Sequence, residues 1–189
     1  MTTNKPEINI SNYTPVIYET AVDFGNAASF DGVNDYVDLG SPSQLQITGN
    51  QTIEMWIKPA HFDSRQNPYA KAYGGEGSIT MEENGSLSYY YGNRGSNSGS
   101  NNVSYQRIRT VAGVLEIDKW SHIAIIRDFD SGKIAWYING EETEIRDSSV
   151  PIFSAAVAGT NSAYIGDGYT NNFEGEIDEV RIWNTARTQ

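Results

Sequence analysis

The 189-residue sequence predicts an antiparallel all-β domain, and three observations carry that prediction. Short apolar runs with period-two alternation recur from Ala28 onward, turn signals rich in Gly and Asn separate them, and no stretch keeps the 3.6-residue period of an amphipathic helix. The length suits one large β domain, and 38% hydrophobic residues with 12 Tyr and 4 Trp supply a core. Eighteen glycines fit a chain of many strands joined by many turns.

Residues 1–20 mix polar residues with Pro6 and Pro15 and read as a lead-in segment, in which Val16-Ile17-Tyr18 is a candidate edge strand. The domain itself is assigned to 21–189. In Thr52-Ile53-Glu54-Met55-Trp56-Ile57 the alternation places Ile53, Met55 and Ile57 on one face and Thr52, Glu54 and Trp56 on the other. Turns are marked by Asp31-Gly32, Asn84-Gly85, Asp130-Ser131-Gly132 and Asn139-Gly140. The last of these is a type I′ hairpin signal and should return the chain into 142–146. Residues 92–104 are of low complexity and are expected to form an external loop. Trp56, Trp120, Trp136 and Trp183 all fall in strand motifs and are assigned to the core.

Composition excludes several functions. Thirteen basic against 24 acidic residues give a net charge of −11, which repels a phosphate backbone, so nucleic acid is not an expected partner. There is no cysteine, hence neither a disulfide framework nor a thiolate metal site. The longest apolar run, Ile123-Ala124-Ile125-Ile126, is far short of a membrane span, so no membrane insertion is expected. The two histidines, His61 and His122, are distant in sequence, and no nucleophile elbow, phosphate loop, zinc-protease helix or dinucleotide fingerprint is present.

Two segments near opposite ends of the chain are the most informative. Ser29-Phe30-Asp31-Gly32-Val33-Asn34-Asp35-Tyr36-Val37-Asp38-Leu39 can be paired with Phe173-Glu174-Gly175-Glu176-Ile177-Asp178-Glu179-Val180-Arg181-Ile182-Trp183-Asn184. Between them lie Thr52-Ile53-Glu54-Met55-Trp56-Ile57-Lys58-Pro59, Trp120-Ser121-His122-Ile123-Ala124-Ile125-Ile126 and Ile134-Ala135-Trp136-Tyr137-Ile138-Asn139-Gly140. In order and spacing these five motifs resemble a laminin-G-like, concanavalin-type jelly-roll module over roughly 29–187. The resemblance implies a two-sheet antiparallel β-sandwich with the terminal signatures paired. It also implies an extracellular or cell-surface parent, bacterial given the absence of cysteine, from which this is one module of several.

Two ligand classes follow. Modules of this kind commonly hold a structural calcium near the first signature, approached by the Asp of the last strand, so Asp31 and Asp178 are carried over as ligands with Asn34 and Asp35 beside them. The local reading leaves an alternative open, because Asp31-Gly32-Val33-Asn34-Asp35 is equally an ordinary Asx turn. Carbohydrate is the second class: aromatic rings cover the apolar faces of sugars while planar amide, carboxylate and guanidinium groups bond to vicinal hydroxyls. Tyr73, Tyr91, Asn93, Arg94, Asp167, Tyr169 and Asn171 are the chosen ligand-binding residues, each Tyr being equally at home as a plain strand residue.

The expected function is thus non-catalytic carbohydrate binding or adhesion, with a protein-interaction or spacer role as the alternative. A concanavalin-type glycoside hydrolase ranks below both. Glu176-Ile177-Asp178-Glu179-Val180 begins like its catalytic strand, but Val180 and Arg181 stand where the closing Glu should be.

Overall fold

The computed structural model describes residues 26–93, 105–146 and 155–187. The lead-in segment, the candidate strand at 16–18, Arg94 and most of the 92–104 stretch lie outside these residues. Among the described residues thirteen strands pack as two sheets, and the only helix is a three-residue 3₁₀ turn, Ser43–Leu45.

The first sheet contains β1 (Ala28–Asp31), β3 (Gln51–Pro59), β8 (Ser121–Asp128), β9 (Lys133–Ile138), β10 (Glu141–Glu142) and β13 (Glu174–Trp183), in the spatial order β1-β13-β3-β8-β9-β10. The second contains β2 (Val37–Gly40), β4 (Gln66–Ala72), β5 (Gly77–Met81), β6 (Leu87–Gly92), β7 (Tyr105–Arg109) and β11 (Ala163–Ile165), ordered β2-β11-β4-β5-β6-β7. All neighbours are antiparallel except β12 (Asn171–Asn172), a two-residue strand lying parallel to β4. The sandwich expected from the five motifs is therefore present.

The terminal signatures meet as expected. Phe30 lies opposite Gly175 and Asp31 opposite Glu174 in the β1–β13 ladder. The first signature then crosses the sandwich, since β1 joins the first sheet and β2 the second. Gly175 is required at this crossing. Its φ is +140°, and a Cβ there would stand 2.2 Å from the Lys58 carbonyl oxygen.

Alternation in β3 places Ile53, Met55 and Ile57 in the core with no exposed surface, while Glu54 and Trp56 are only partly covered. From the other sheet Tyr69, Ile79, Met81, Leu87, Tyr89 and Tyr91 fill the same layer, and Phe30 meets Phe173 edge to face at 6.3 Å. Trp136 ties the sheets together, its buried indole N–H donating to the Ile108 carbonyl at 3.0 Å. The other three tryptophans correct the expectation of a core position. Trp56, Trp120 and Trp183 are only half-buried: Trp56 takes the outward phase of β3, and Trp183 sends its indole N–H to Glu54 at 3.1 Å.

The Asn139-Gly140 hairpin forms with φ of 52° and 85°, the two left-handed residues of a type I′ turn. Its return strand is shorter than expected, because only Glu141–Glu142 pairs with β9. Thereafter the chain departs for the second sheet, where Ile145 bridges Thr110 and the Arg146 amide donates to the Arg109 carbonyl at 2.8 Å.

Candidate functional site

The outer face of the second sheet gathers four tyrosines from four separate places. Tyr90 is the outward residue of β6, in register with Ser78 on β5 and Arg107 on β7. Tyr105 opens β7, Tyr73 follows β4, and Tyr169 stands in the 166–170 turn. Their rings close a circuit: Tyr73 to Tyr105 at 5.7 Å, Tyr105 to Tyr90 at 5.6 Å, Tyr90 to Tyr169 at 5.9 Å and Tyr169 to Tyr73 at 4.7 Å. Edge-to-face and tilted packing at these distances is the arrangement that aromatic quadrupoles favour. Tyr105 is 47% exposed and offers most of the ring surface, Tyr169 is half-buried beside it, and Tyr73 and Tyr90 are buried beneath them.

Polar groups fix the circuit from one side. The Arg65 guanidinium donates Nε–H to Glu82 at 2.9 Å and Nη2–H to the Tyr90 hydroxyl at 3.1 Å. Glu82 also accepts from Ser88 Oγ at 2.6 Å and from the Tyr90 hydroxyl at 3.4 Å. Thr80 and Tyr169 share a hydroxyl–hydroxyl bond of 2.5 Å. Burial raises the pKa of Tyr73, and that of Tyr169 well above the usual phenol value, so both keep their protons and remain donors as well as acceptors at any physiological pH.

The turn carrying Tyr169 is positioned by Asn67, a fully buried residue of β4. Its amide oxygen accepts from the Thr170 N–H at 2.9 Å and Thr170 Oγ at 2.8 Å, and its amide nitrogen donates to the Ile79 carbonyl at 2.9 Å. Gly166 begins the turn at φ +83°, where a Cβ would stand 2.4 Å from the Phe30 ring.

The structure sorts the sequence-chosen ligand residues. Tyr73 and Tyr169 belong to the circuit, and Asp167 is half-buried beside them, accepting the Gly168 N–H at 2.6 Å. Asn93 is exposed at the end of β6, and Asn171 is exposed in β12, paired with Gln66 of β4. Tyr91 requires a correction. It takes the inward phase of β6, fully buried between Tyr89 and Phe129, with the Arg127 guanidinium 5.2 Å from its ring centroid. Sequence reasoning left out Tyr90, Tyr105, Arg65 and Glu82. For Tyr90 a signal existed, because alternation along Ser88-Tyr89-Tyr90-Tyr91 turns it away from Tyr89 and Tyr91.

The residues expected to hold calcium do not converge. Asp31 lies opposite Glu174, and Asp178 stands four residues further along β13, about 13 Å away at the usual rise per residue. Asp31 Oδ1 accepts the Val33 and Asn34 amides at 2.8 and 3.2 Å, Asp35 Oδ2 accepts the Asp31 amide at 3.1 Å, and Asp178 Oδ1 accepts the Glu179 amide at 2.7 Å. The Val33 amide bond, followed by that from Asn34, holds the Asp31 pKa below its ordinary value. Asp31 thus closes an Asx turn, and Asp35 and Asp178 each accept one backbone amide. Among the described residues no group of three or more His, Cys, Asp or Glu side chains is placed to hold a metal ion.

The family model of the concanavalin A-like lectin/glucanases superfamily matches residues 31–189, and the chain belongs to that superfamily. Solved structures agree in fold. The CBM40 domain of Ruminococcus gnavus IT-sialidase, bound to α2,3 sialyllactose, superposes with a TM-score of 0.66 at 12% identity, over 86% of this chain and 91% of that one. Domain 4 of AbnA, an extracellular GH43 arabinanase from Geobacillus stearothermophilus, in complex with arabinotriose, gives 0.62 at 22% identity over 88% and 74%. A putative carbohydrate-binding protein from Bacteroides ovatus gives 0.61 at 22% identity over 86% and 44%. No curated protein matches the chain.

Proposed function

We propose that the protein is a non-catalytic carbohydrate-binding module and that the tyrosine circuit on the second sheet is its ligand face. The observation that carries this reading is the convergence of Tyr73, Tyr90, Tyr105 and Tyr169, with hydroxyls held by Arg65, Glu82 and Thr80. Sugar rings stack their C–H faces on such surfaces while phenol and guanidinium groups bond to the hydroxyls at the edge. Support also comes from the structural neighbours solved with sialyllactose and with arabinotriose bound. A glycan ligand suits a module displayed outside the cell, in an adhesin or a glycan-processing enzyme.

Binding without hydrolysis is favoured by how the carboxylates are engaged. A glycosidase needs two carboxyl groups flanking the scissile bond, one of them free to donate a proton. Glu176 is taken by Lys58 at 2.8 Å, Glu179 by Arg181, and Glu82 accepts from three partners.

A glycan array screened with the isolated module, in duplicate with calcium and with EDTA, tests the reading. Hits should persist in EDTA, and Tyr105→Ala or Tyr169→Ala should weaken each of them about tenfold, the equivalent of about 1.4 kcal/mol. An empty array would overturn the proposal and favour a protein partner, for which Val33, Tyr36 and Val37 offer an exposed apolar patch at the edge strand β2.

A further inference from the structure

The opposite face of the sandwich carries a second concavity. In the first sheet the outward residues of β3, β8 and β9 stand in rows, with Glu54, Ala124 and Tyr137 in one and Thr52, Ile126 and Ala135 in the next. Ala135, between Tyr137 in one row and Ile126 in its own, leaves a depression among these larger groups. One wall is Tyr137 with Lys133, both fastened to Glu142, at 3.1 Å from the hydroxyl and 2.7 Å from the ammonium. The other wall is built by the chain after β13. There Thr52 Oγ donates to the Thr185 carbonyl at 2.9 Å and accepts the Arg187 amide at 3.0 Å, and the Arg187 guanidinium stacks 4.2 Å from the Trp183 ring centroid. Ile126, Ala135 and Ala186 form the floor, and Asp128 closes one end of a cavity of about 270 Å³.

We infer that this groove is a second saccharide site, so that the module binds glycan on both faces. The inference extends the proposed function and rests on it for the ligand class. Size and lining fit: the volume lies just below the ~300 Å³ at which drug-sized sites begin. The apolar floor and the Tyr137 ring would cover the C–H face of a sugar ring. Arg187 and Lys133 supply a planar and a charged donor for its hydroxyls. Two sites separated by the thickness of the sandwich let one module bridge two polysaccharide strands or grip one at two points, raising avidity by about 10²–10⁴ over a single site where both engage.

Sialyllactose and arabinotriose serve as probes, titrated at millimolar concentration into the labelled protein while backbone NMR shifts are followed. The expected result is one set of shifts around Tyr105 and Tyr169 and a second around Ile126, Ala135 and Ala186. The second set should persist in Tyr105→Ala/Tyr169→Ala and weaken at least fivefold in Arg187→Ala or Lys133→Ala. Shifts confined to the tyrosine face would overturn the inference and leave the proposed function standing. Shifts confined to the groove would support the inference and overturn the assignment of the tyrosine face, and no shift with either probe would overturn both.

Discussion

His122 shows how one outward side chain acquires a pH dependence. It sits in register with Trp56, the rings 5.3 Å apart, with Glu54 Oε2 at 3.8 Å from its Nε2. Burial lowers its pKa from the ordinary 6.5, Arg181 adds to that, and Glu54 opposes both. A depressed histidine means that the unfolded chain takes up its proton first. Its contribution to stability is therefore complete above about pH 6.5 and is lost as pH falls below that value towards the folded pKa. Urea unfolding at pH 7.5 and 5.5 should show wild-type losing more stability on acidification than His122→Gln; equal losses would contradict this environment for the ring. Gly166 is a second decisive residue. Replacing it with Ala places a Cβ in the left-handed region and against the Phe30 ring, at a cost of roughly 2–4 kcal/mol by urea unfolding. The turn that carries Tyr169 should loosen with it.

Among the elements, β6 and β13 show what local pattern does and does not decide. In β6 the three consecutive tyrosines divide by the pleat, with Tyr89 and Tyr91 in the core and Tyr90 on the outer face. The alternation separates Tyr90 from Tyr89 and Tyr91, and the packing of the other sheet decides which face is outward. In β13 the alternation fails between Asp178 and Arg181, where the register slips against β3 and Glu179 takes φ 53°. The expectation that Asp178 reaches back to Asp31 assumed a strand whose spacing could be ignored. The ladder instead keeps the two apart. Adding millimolar calcium or EDTA should therefore leave the melting temperature unchanged, and a rise of several degrees with calcium would mean that the Asp31 turn reorganises around a cation.

At the scale of the whole molecule, the hairpin after β4 is held by charges with no access to water. Lys71 and Glu76 pair at 3.2 Å with side chains 0% and 1% exposed. Lys71 also donates to the carbonyls of Gly159 and Asn161, at 3.3 and 3.0 Å, while Glu76 accepts the Gly159 amide at 2.9 Å. The pair thus fastens the approach to β11 onto the hairpin from which Tyr73 projects. Buried Arg127 reinforces the same region, donating to the carbonyls of Ile47, Gly49 and Glu76 and to the Tyr89 hydroxyl. Glu76→Gln strands the Lys71 ammonium and should cost about 3–5 kcal/mol. Lys71→Met/Glu76→Gln should recover part of that loss in the same urea experiment, because no buried charge is then left alone.

The sequence by itself determined the β3 alternation and the Asn139-Gly140 hairpin, and the resemblance its five motifs carry implied the two sheets and the pairing of the terminal signatures. Each of these depends on residues adjacent in the chain or on motifs whose order is visible, and strand periodicity and turn chemistry are local properties. Only the tertiary structure decided that Tyr73, Tyr90, Tyr105 and Tyr169 share one face while Asp31 and Asp178 do not meet. Both outcomes depend on register between strands far apart in sequence. The same holds for the half-buried tryptophans: Trp56 is set outward by its phase in β3, and how far it is covered depends on the neighbours that the other strands bring beside it.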